Sequence, residues 1–206
     1  MSAILIRPKD IHTVEQTLVI LKSDAVQRGI IGDVISRFEK VGLKMVGAKM
    51  LKVDTNMANK HYPTSRREFI EGMGNKTLEN YEEQGKDPVA EFGHADPHKI
   101  GLELQKWLDD YLTCDPVLAI VLEGPHAVEL ARKLVGHTLP SKSMPGTIRG
   151  DYSFDSSALA NAAKRPIRNL IHASGNVEEA QFEIGLWFSQ SEVFEYDSIH
   201  QKHMMQ

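Results

Sequence analysis

Continuous apolar runs mark the strands of this chain. Residues 17–21 read TLVIL and residues 116–122 read PVLAIVL. Short runs of this kind, rich in branched residues, are typical of buried strands. Residues 44–53 are strand-like with weak alternation, and Leu170 to His172 forms a short apolar run. The pattern therefore predicts four strands.

Apolar residues at helical spacing predict a helix after three of these strands. The first covers Ile31 to Phe38 and stops near Gly42. The second opens at Pro125, since proline is favoured at the first helical position, and ends at Gly136. The last follows Asn176, which resembles an N-cap with Glu179 as capping partner. Residues 54–71 predict two short helices broken near Pro63.

The remaining segments are less regular. Turn-forming clusters fill residues 72–116, apart from one amphipathic helix between Ile100 and Tyr111. We interpret this segment as an insertion that covers part of the molecule. Residues 136–167 predict mostly loop with a short helix near 156–164, and the polar tail after Phe194 is expected to be loosely held.

The order of elements predicts the fold. The order is strand, helix, strand, helix, insertion, strand, helix, loop, strand, helix. It corresponds to an α/β (α+β) protein with a ferredoxin-like βαββαβ core. We expect a four-stranded antiparallel sheet covered by helices. The length of 206 residues favours a single domain.

Charge and cysteine content narrow the function classes. A formal net charge of −4 argues against bulk attraction to nucleic acid or an anionic membrane, so neither is expected as a partner. Cys114 is the single cysteine and cannot form an internal disulfide, which suits a reducing compartment. No apolar run approaches membrane-spanning length. Cytoplasm is the expected location.

His172 is the first candidate for chemistry. It ends a short apolar strand and is followed by the small residues Ala173, Ser174 and Gly175, which leave room for a substrate. Glu183 lies beside the apolar stripe of the last helix, where a buried carboxylate needs a partner. A carboxylate that holds one ring nitrogen leaves the other as an oriented nucleophile. The alternatives are a histidine packed at a turn and an exposed glutamate.

Cations and neutral donors occur at strand ends and in loops, where α/β folds place ligands. Arginine offers a planar fork to phosphate and lysine a point charge. Taken alone, each is first interpreted as a solvated charge. The candidates are Lys22, Arg132 and Arg149, with Thr138 and Asn169 as neutral donors.

Other familiar sites are absent or weak in the sequence. His94 and His98 have a spacing of four residues, but Pro97 interrupts a helix through them, which disfavours a zinc site. Neither a G-x-x-x-x-G-K-[ST] nor a G-x-G-x-x-G pattern occurs.

Three segments together resemble the nucleoside diphosphate kinase family. They read TLVILKSDAVQRGIIGDVISRFEKVGLKMVGAKML, PGTIRGDY and RNLIHASGNVEEAQFEIGLWF. The resemblance covers roughly 17–71 and 116–188. It implies an enzyme that moves the γ-phosphate of a nucleoside triphosphate such as ATP to a nucleoside diphosphate, by ping-pong through a phosphohistidine. It also implies Mg²⁺ held mainly by phosphates and water, and a homo-oligomer, either hexamer or tetramer.

The resemblance also implies a role for each matching residue. His172 is the nucleophile, Glu183 orients its ring, and Ser174 bonds to Glu183. Tyr62 lies beside the histidine, and Phe69 stacks on the base. The phosphates would be held by Lys22, Arg132, Thr138 and Arg149, with Asn169 on the sugar hydroxyl and phosphate.

The chain departs from the family pattern at several places. Ser23 stands where the family has proline, and Ala173 and Gly175 replace the glycine and aspartate of HGSD. Residues at about 72–116 and 152–167 exceed the family norm and are expected to be insertions, with a C-terminal tail over about 189–206. These departures leave two alternatives to the kinase: a nucleotide-binding regulatory protein and a protein-directed histidine phosphotransfer partner.

Overall fold

The four apolar runs form one antiparallel sheet in the computed structural model, which describes residues 14–204. The strands are β1 (Val14–Leu21), β2 (Lys44–Leu51), β3 (Val117–Pro125) and β4 (Ile171–Ala173). Their order across the sheet is β2-β3-β1-β4, and every neighbouring pair is antiparallel. The prediction of a ferredoxin-like α+β fold is confirmed.

Helices surround this sheet and carry most of the remaining described chain. None of those within residues 14–204 is long and apolar enough to cross a bilayer. They are α1 (Ser23–Gln27), α2 (Ile31–Lys40), α3 (Thr55–His61), α4 (Arg67–Glu83), α5 (Pro88–Phe92), α6 (Pro97–Thr113), α7 (Ala127–Val135), α8 (Ile148–Tyr152), α9 (Ser157–Ala162), α10 (Val177–Trp187) and α11 (Ile199–Met204).

Alternate side chains of β1 enter two different hydrophobic cores, because successive residues of a strand point to opposite faces. Val19 and Leu21 are fully buried in a cluster with apolar residues of α2 and α7. Leu18 and Ile20 are fully buried in a second cluster that includes Trp187 of α10. Helices therefore cover both faces of the sheet, and the apolar run of β1 is continuous for that reason.

The segment over 72–116 is more ordered than its turn clusters suggest, so the prediction of mainly irregular structure was wrong there. Helices α4 and α6 fill most of it and pack closely against each other. A Cβ on Gly74 would lie 1.8 Å from the carbonyl oxygen of Pro97, and one on Gly101 would lie 2.1 Å from that of Ile70. Two glycines thus permit the contact while weakening the helical signal of the sequence.

Pro125 does not open a helix as predicted. It is the last residue of β3, and His126 adopts a left-handed conformation with φ 51° before α7 begins at Ala127. The strand continues because its pairing with β1 extends to Val14 opposite Pro125. The end of α7 at Gly136 is as predicted.

The described part of the tail is anchored, so the prediction of a loosely held tail was wrong for it. The Phe194 backbone N–H donates to the Val46 carbonyl over 2.7 Å, and Tyr196 Oη donates to the Met45 carbonyl over 2.8 Å. Gln201 is buried and donates to the carbonyl of Glu123. The tail thereby covers edge strand β2, and residues 205–206 lie outside the described range.

Candidate active site

The antiparallel pairing of β4 with β1 fixes the position of His172, which lies opposite Ile20. Glu183 projects from α10, the helix that begins at the Asn176 cap four residues after the histidine. The His172 Nε2 atom lies 2.9 Å from Glu183 Oε1 and 3.0 Å from Oε2. Since a carboxylate accepts, Nε2 carries the ring proton and Nδ1 keeps its lone pair.

Glu183 is itself held in place. Its side chain is buried, and the Ser174 hydroxyl donates to Oε2 over 2.6 Å. Ser174 is fully buried and also accepts from the Leu18 backbone N–H. Burial raises the pKa of Glu183, while the bond from Ser174 favours the ionised carboxylate. The chain of contacts from β1 through Ser174 and Glu183 fixes the orientation of the His172 ring.

The surroundings keep His172 neutral. Burial, together with the positive charges of Lys22, Arg149 and Arg132, lowers the pKa of its ring to about 3. Nδ1 of His172 forms no hydrogen bond to any other described residue. A neutral imidazole with one nitrogen held by a carboxylate and the other free is the arrangement that a histidine nucleophile requires.

A second histidine, His61, contacts this pair and was not predicted. Its ring packs edge-on against His172 with 4.6 Å between the ring centroids. Trp187 Nε1–H donates to its Nδ1 over 3.3 Å, and that Nδ1 lies 3.5 Å from Glu183 Oε1. Burial lowers the pKa of His61 to about 3, so it is neutral as well. Its position three residues after Ala58, on the buried face of α3, was the available signal.

Lys22 reaches the site from the end of β1. Its ammonium donates to Asn169 Oδ1 over 2.9 Å and lies 4.7 Å from the centroid of the Tyr111 ring. Burial and, to a smaller extent, the nearby charge of Arg149 lower the pKa of Lys22 to about 7. A phosphate group would supply the missing negative charge, so the site is prepared for an anion.

Arg149 and Asn169 tie the loop before α8 to the turn before β4. The guanidinium of Arg149 donates to the carbonyls of Asn169, Gly136 and Ile171. Burial lowers the pKa of Arg149 to about 10. Asn169 Nδ2 donates to the Thr138 carbonyl over 3.1 Å. Arg149 therefore stabilises the backbone of the site in addition to supplying positive charge.

Arg132 and Thr138 border the site from outside. Both are exposed, Arg132 in the last turn of α7 and Thr138 in the loop that follows. The charge of Arg132 lowers the pKa values of His172 and Arg149, which places its guanidinium near both. An exposed cation at the rim of a buried positive site can meet an incoming anion.

An aromatic wall forms another side. Tyr62 follows α3, and its ring lies edge-on to His172 at 6.3 Å. Phe69 in α4 is parallel to Tyr62, with centroids 6.4 Å apart and 2° between planes. Gln105 of α6 donates to the Tyr62 carbonyl over 2.7 Å, so the α4–α6 pair supports this wall. Partly exposed aromatic faces can stack on a nucleotide base.

Among residues 14–204, His61, His172 and Glu183 form the one group of three or more possible metal ligands whose ligand atoms all lie within 4.8 Å of one another. Their hydrogen bonds already occupy His61 Nδ1 and His172 Nε2. His94 and His98 lie near different carboxylates, Glu103 and Glu71 respectively. The nitrogen-rich group at His172 is therefore a hydrogen-bonded network and not a site for a hard cation such as Mg²⁺, which prefers oxygen ligands.

Comparison with known proteins decides the family. The model of the family described as nucleoside diphosphate kinase matches residues 15–76 and 99–193. The chain belongs to the nucleoside diphosphate kinase family. Its activity is that of a nucleoside diphosphate kinase, a phosphotransferase. The nucleoside diphosphate kinase of Pyrobaculum aerophilum is 48% identical over 182 residues, which cover 88% of this chain and 99% of that protein.

Two solved structures agree with this assignment. A crystal structure of an NDP kinase from Pyrobaculum aerophilum covers 88% of this chain and 100% of its own, with a TM-score of 0.86 and 47% identity. The Borrelia burgdorferi nucleoside-diphosphate kinase, solved as a transition-state mimic with bound vanadate and ADP, covers 92% and 95% with a TM-score of 0.72 and 38% identity. The resemblance carried by the three sequence segments is confirmed at the level of family and fold.

The structure brings most of the predicted site residues of this nucleoside diphosphate kinase into one place. His172, Glu183 and Ser174 form a hydrogen-bonded chain, and Lys22 contacts Asn169. The remaining predicted residues lie around these two groups: Tyr62, Phe69, Arg132, Thr138 and Arg149. Sequence reasoning missed His61, Tyr111 and Gln105, which contact the site from helices α3 and α6.

Proposed function

We propose that the nucleoside diphosphate kinase reaction of this chain proceeds by ping-pong through a phosphohistidine at His172. Nδ1 attacks the γ-phosphorus of a nucleoside triphosphate such as ATP, a nitrogen–phosphorus bond forms, and the nucleoside diphosphate leaves with the electrons of the broken phosphorus–oxygen bond. A second nucleoside diphosphate then reverses these steps. The observation that carries this proposal is the 2.9 Å contact of His172 Nε2 with Glu183, which leaves Nδ1 as the free nitrogen.

The surrounding cations have a definite role in this proposal. Transfer of a phosphoryl group needs positioning and stabilisation of negative charge more than covalent chemistry. We assign Lys22, Arg132 and Arg149 to the phosphates, with Thr138 and Asn169 as neutral donors. The buried position of Lys22 supports the assignment, since a phosphate would restore a charge that burial disfavours. The Borrelia burgdorferi relative was solved with bound vanadate and ADP, which supports the binding of a phosphate-like group by this chain.

We assign Phe69 to stacking on the nucleotide base, with Tyr62 between it and the nucleophile. Stacking is tolerant of base identity because every base has a π-face. The rings of Tyr62 and Phe69 support this assignment, since they are parallel and Phe69 is only half-buried. Nucleotides with different bases should therefore serve as donors and acceptors.

We propose that Mg²⁺ enters with the nucleotide, bound by phosphate oxygens and water. Mg²⁺ in phosphate-transfer sites commonly keeps several waters and uses few protein ligands. Among the described residues, the one group of three or more possible metal ligands is His61, His172 and Glu183, and its carboxylate already accepts from His172 and Ser174. When bound, the ion would neutralise part of the negative charge on the phosphates. Lys22 and Arg149 would contribute the positive charge that comes from the protein.

Assembly, location and domain organisation belong to the same proposal. We infer a cytoplasmic homo-oligomer, hexamer or tetramer, from the family and from the single cysteine. We also infer one domain over 1–206 with insertions at about 72–116 and 152–167. The gap in the family match, residues 77–98, supports the first insertion. Sedimentation equilibrium of the purified chain tests the assembly, and a monomer would contradict it.

Labelling with γ-³²P-ATP tests the reaction. The protein is incubated with labelled ATP and Mg²⁺, isolated, and then given GDP. We expect an acid-labile, base-stable label on His172 that moves to GTP. His172→Gln should remove the label while nucleotide still binds, whereas His98→Gln, a change on the surface of α6, should label normally.

Each other outcome has a clear meaning. Absence of label with nucleotide still bound would overturn the phosphohistidine mechanism. A label that forms but does not pass to GDP would favour a protein-directed phosphotransfer partner. Full turnover in His172→Gln would show that another residue is the nucleophile.

A further inference from the structure

The residue two positions before the proposed nucleophile has an unusual backbone conformation. Leu170 has φ 66°, in the left-handed region that leucine avoids. The Ile171 N–H donates to the Asn169 carbonyl over 2.7 Å, a bond from residue i+2 to residue i. A γ-turn closed over a residue with positive φ is the rare, strained form. Leu170 is also 1% exposed, so its side chain is anchored in the core below the sheet edge.

Both polar groups of the Leu170 backbone are held by the segment that follows β1. The carboxylate of Asp24 accepts the Leu170 N–H at Oδ2 over 3.1 Å. The Lys22 N–H donates to the Leu170 carbonyl over 2.8 Å. Asp24 Oδ1 accepts the N–H of Ala25, so one carboxylate joins the first turn of α1 to the strained turn.

The strained turn connects two groups of the site. Asn169, on its N-terminal side, contacts the Lys22 ammonium, and His172 follows on its C-terminal side. A change of φ at Leu170 from positive to negative would reorient the peptide that links them. Strained backbone persists only where its surroundings hold it, and it concentrates at functional sites. The proposed reaction leaves Asp24 without a chemical role.

We propose that Asp24 is a positioning residue for phosphotransfer: it holds Leu170 in the left-handed conformation and so sets His172 relative to Asn169. This inference rests on His172 being the nucleophile. The strain also explains why a carboxylate is suited to this place. A charged acceptor bonds the backbone N–H more strongly than a neutral one and can accept two donors at once.

A double-mutant cycle separates strain from packing. Asp24→Ala is made in the natural chain, in Leu170→Gly and in Leu170→Ala. Glycine adopts positive φ without strain, whereas alanine keeps the Cβ that causes it. Both substitutions at position 170 remove most of the leucine side chain, so both variants lose a similar amount of hydrophobic packing. Asp33→Asn, an exposed carboxylate of α2, controls for the lost charge.

The rate of labelling at saturating ATP and the dissociation constant of ADP are measured for each protein. We expect Asp24→Ala to slow labelling roughly 10-fold and to change ADP affinity by less than about 3-fold. In Leu170→Ala the loss should persist, and in Leu170→Gly it should shrink to about 2-fold or less. Equal losses in the glycine and alanine backgrounds, or a normal rate in Asp24→Ala, would overturn the inference.

Two other experimental outcomes also decide the role of Asp24. If Leu170→Gly does not fold, the single Asp24→Ala protein still decides: equal losses in labelling rate and ADP affinity would indicate a merely structural role and refute positioning. If the natural chain carries no label on His172, the proposed function fails. A labelled natural chain beside an unaffected Asp24→Ala protein refutes the role of Asp24 alone.

Discussion

The hydrogen bond between Glu183 and His172 offers a direct test of how the nucleophile is oriented. Glu183→Gln keeps the shape and an acceptor oxygen but removes the charge. A hydrogen bond to a charged group contributes about 1.5–3 kcal/mol and a neutral one about 0.5–1.5 kcal/mol. The difference of about 1–1.5 kcal/mol corresponds to a roughly 5- to 13-fold slower transfer if it acts on the transition state.

Glu183→Ala should cost more. It removes the acceptor for His172 Nε2–H and for the Ser174 hydroxyl, both of which bond to this carboxylate. Losing the bond and leaving a buried donor unpaired costs about 3 kcal/mol or more, which is over about 100-fold in rate. Without the carboxylate, the proton can also move to Nδ1, and that tautomer has no lone pair on the attacking atom.

Single-turnover labelling by γ-³²P-ATP at saturating concentration measures this step without product release. The apparent affinity for ATP should change little, because the described contacts of Glu183 are with protein side chains. Thermal unfolding provides the control: Glu183→Ala should lower the midpoint, because the His172 N–H and the buried Ser174 hydroxyl lose their acceptor, so labelling is compared at a temperature where both proteins are folded. If Glu183→Ala keeps more than about a third of the rate, orientation by Glu183 is refuted.

The site and the α4–α6 pair carry four further predictions. Because burial and nearby cations lower the pKa of His172 in the free protein to about 3, labelling at limiting ATP should not be lost to protonation of His172 down to about pH 4, and a loss with a midpoint near the ordinary value of about 6.5 would contradict this. At limiting ATP, the rate of labelling should fall as the pH rises through about 7, where Lys22 loses its proton. Saturating ATP should move the midpoint of that fall to higher pH. A rate that does not change with pH would argue against Lys22 as a phosphate ligand. Phe69→Ala should raise KM for ATP and GTP alike by roughly 5- to 150-fold with little change in kcat, which steady-state kinetics measures. An increase for one nucleotide alone would contradict stacking and indicate selective recognition of that base. Gly74→Ala should lower the free energy of unfolding by about 1–3 kcal/mol, because its Cβ would lie 1.8 Å from a carbonyl oxygen of α6. Gly72→Ala in the same helix has open space around its Cβ and should raise the free energy of unfolding by about 0.5–1 kcal/mol. Urea titration of both variants tests the close approach of α4 to α6.

The sequence predicted those features that have a local cause. The strands appear as apolar runs because both faces of the sheet are covered, and the cap at Asn176 depends on residues within one turn. His172 and Glu183 share a sequence segment and a family motif. The local pattern was therefore sufficient for the sheet, the last helix and the central pair of the site.

Features that depend on distant contacts were missed. The packing of α4 on α6 uses Gly74 and Gly101, residues that reduce helix propensity and hide the helices from pattern reasoning. Nothing in the type of residue 170 indicates a positive φ, since leucine disfavours it and partners from another element hold it there. His61 becomes a neighbour of His172 only when α3 packs beside α10.

The pairing of β1 with the segment around β4 has a consequence for synthesis of the protein. Leu18 and Ser174 are bonded although 156 positions separate them in the chain. A nascent chain that has grown only to residue 160 on the ribosome therefore holds Lys22 but neither the nucleophile nor its carboxylate. Strand β1 of such a chain has one edge unpaired until β4 has been synthesised. Contacts between residues so far apart in sequence form slowly. No catalytically competent fragment precedes the emergence of Glu183, so a growing polypeptide cannot begin to consume triphosphate early.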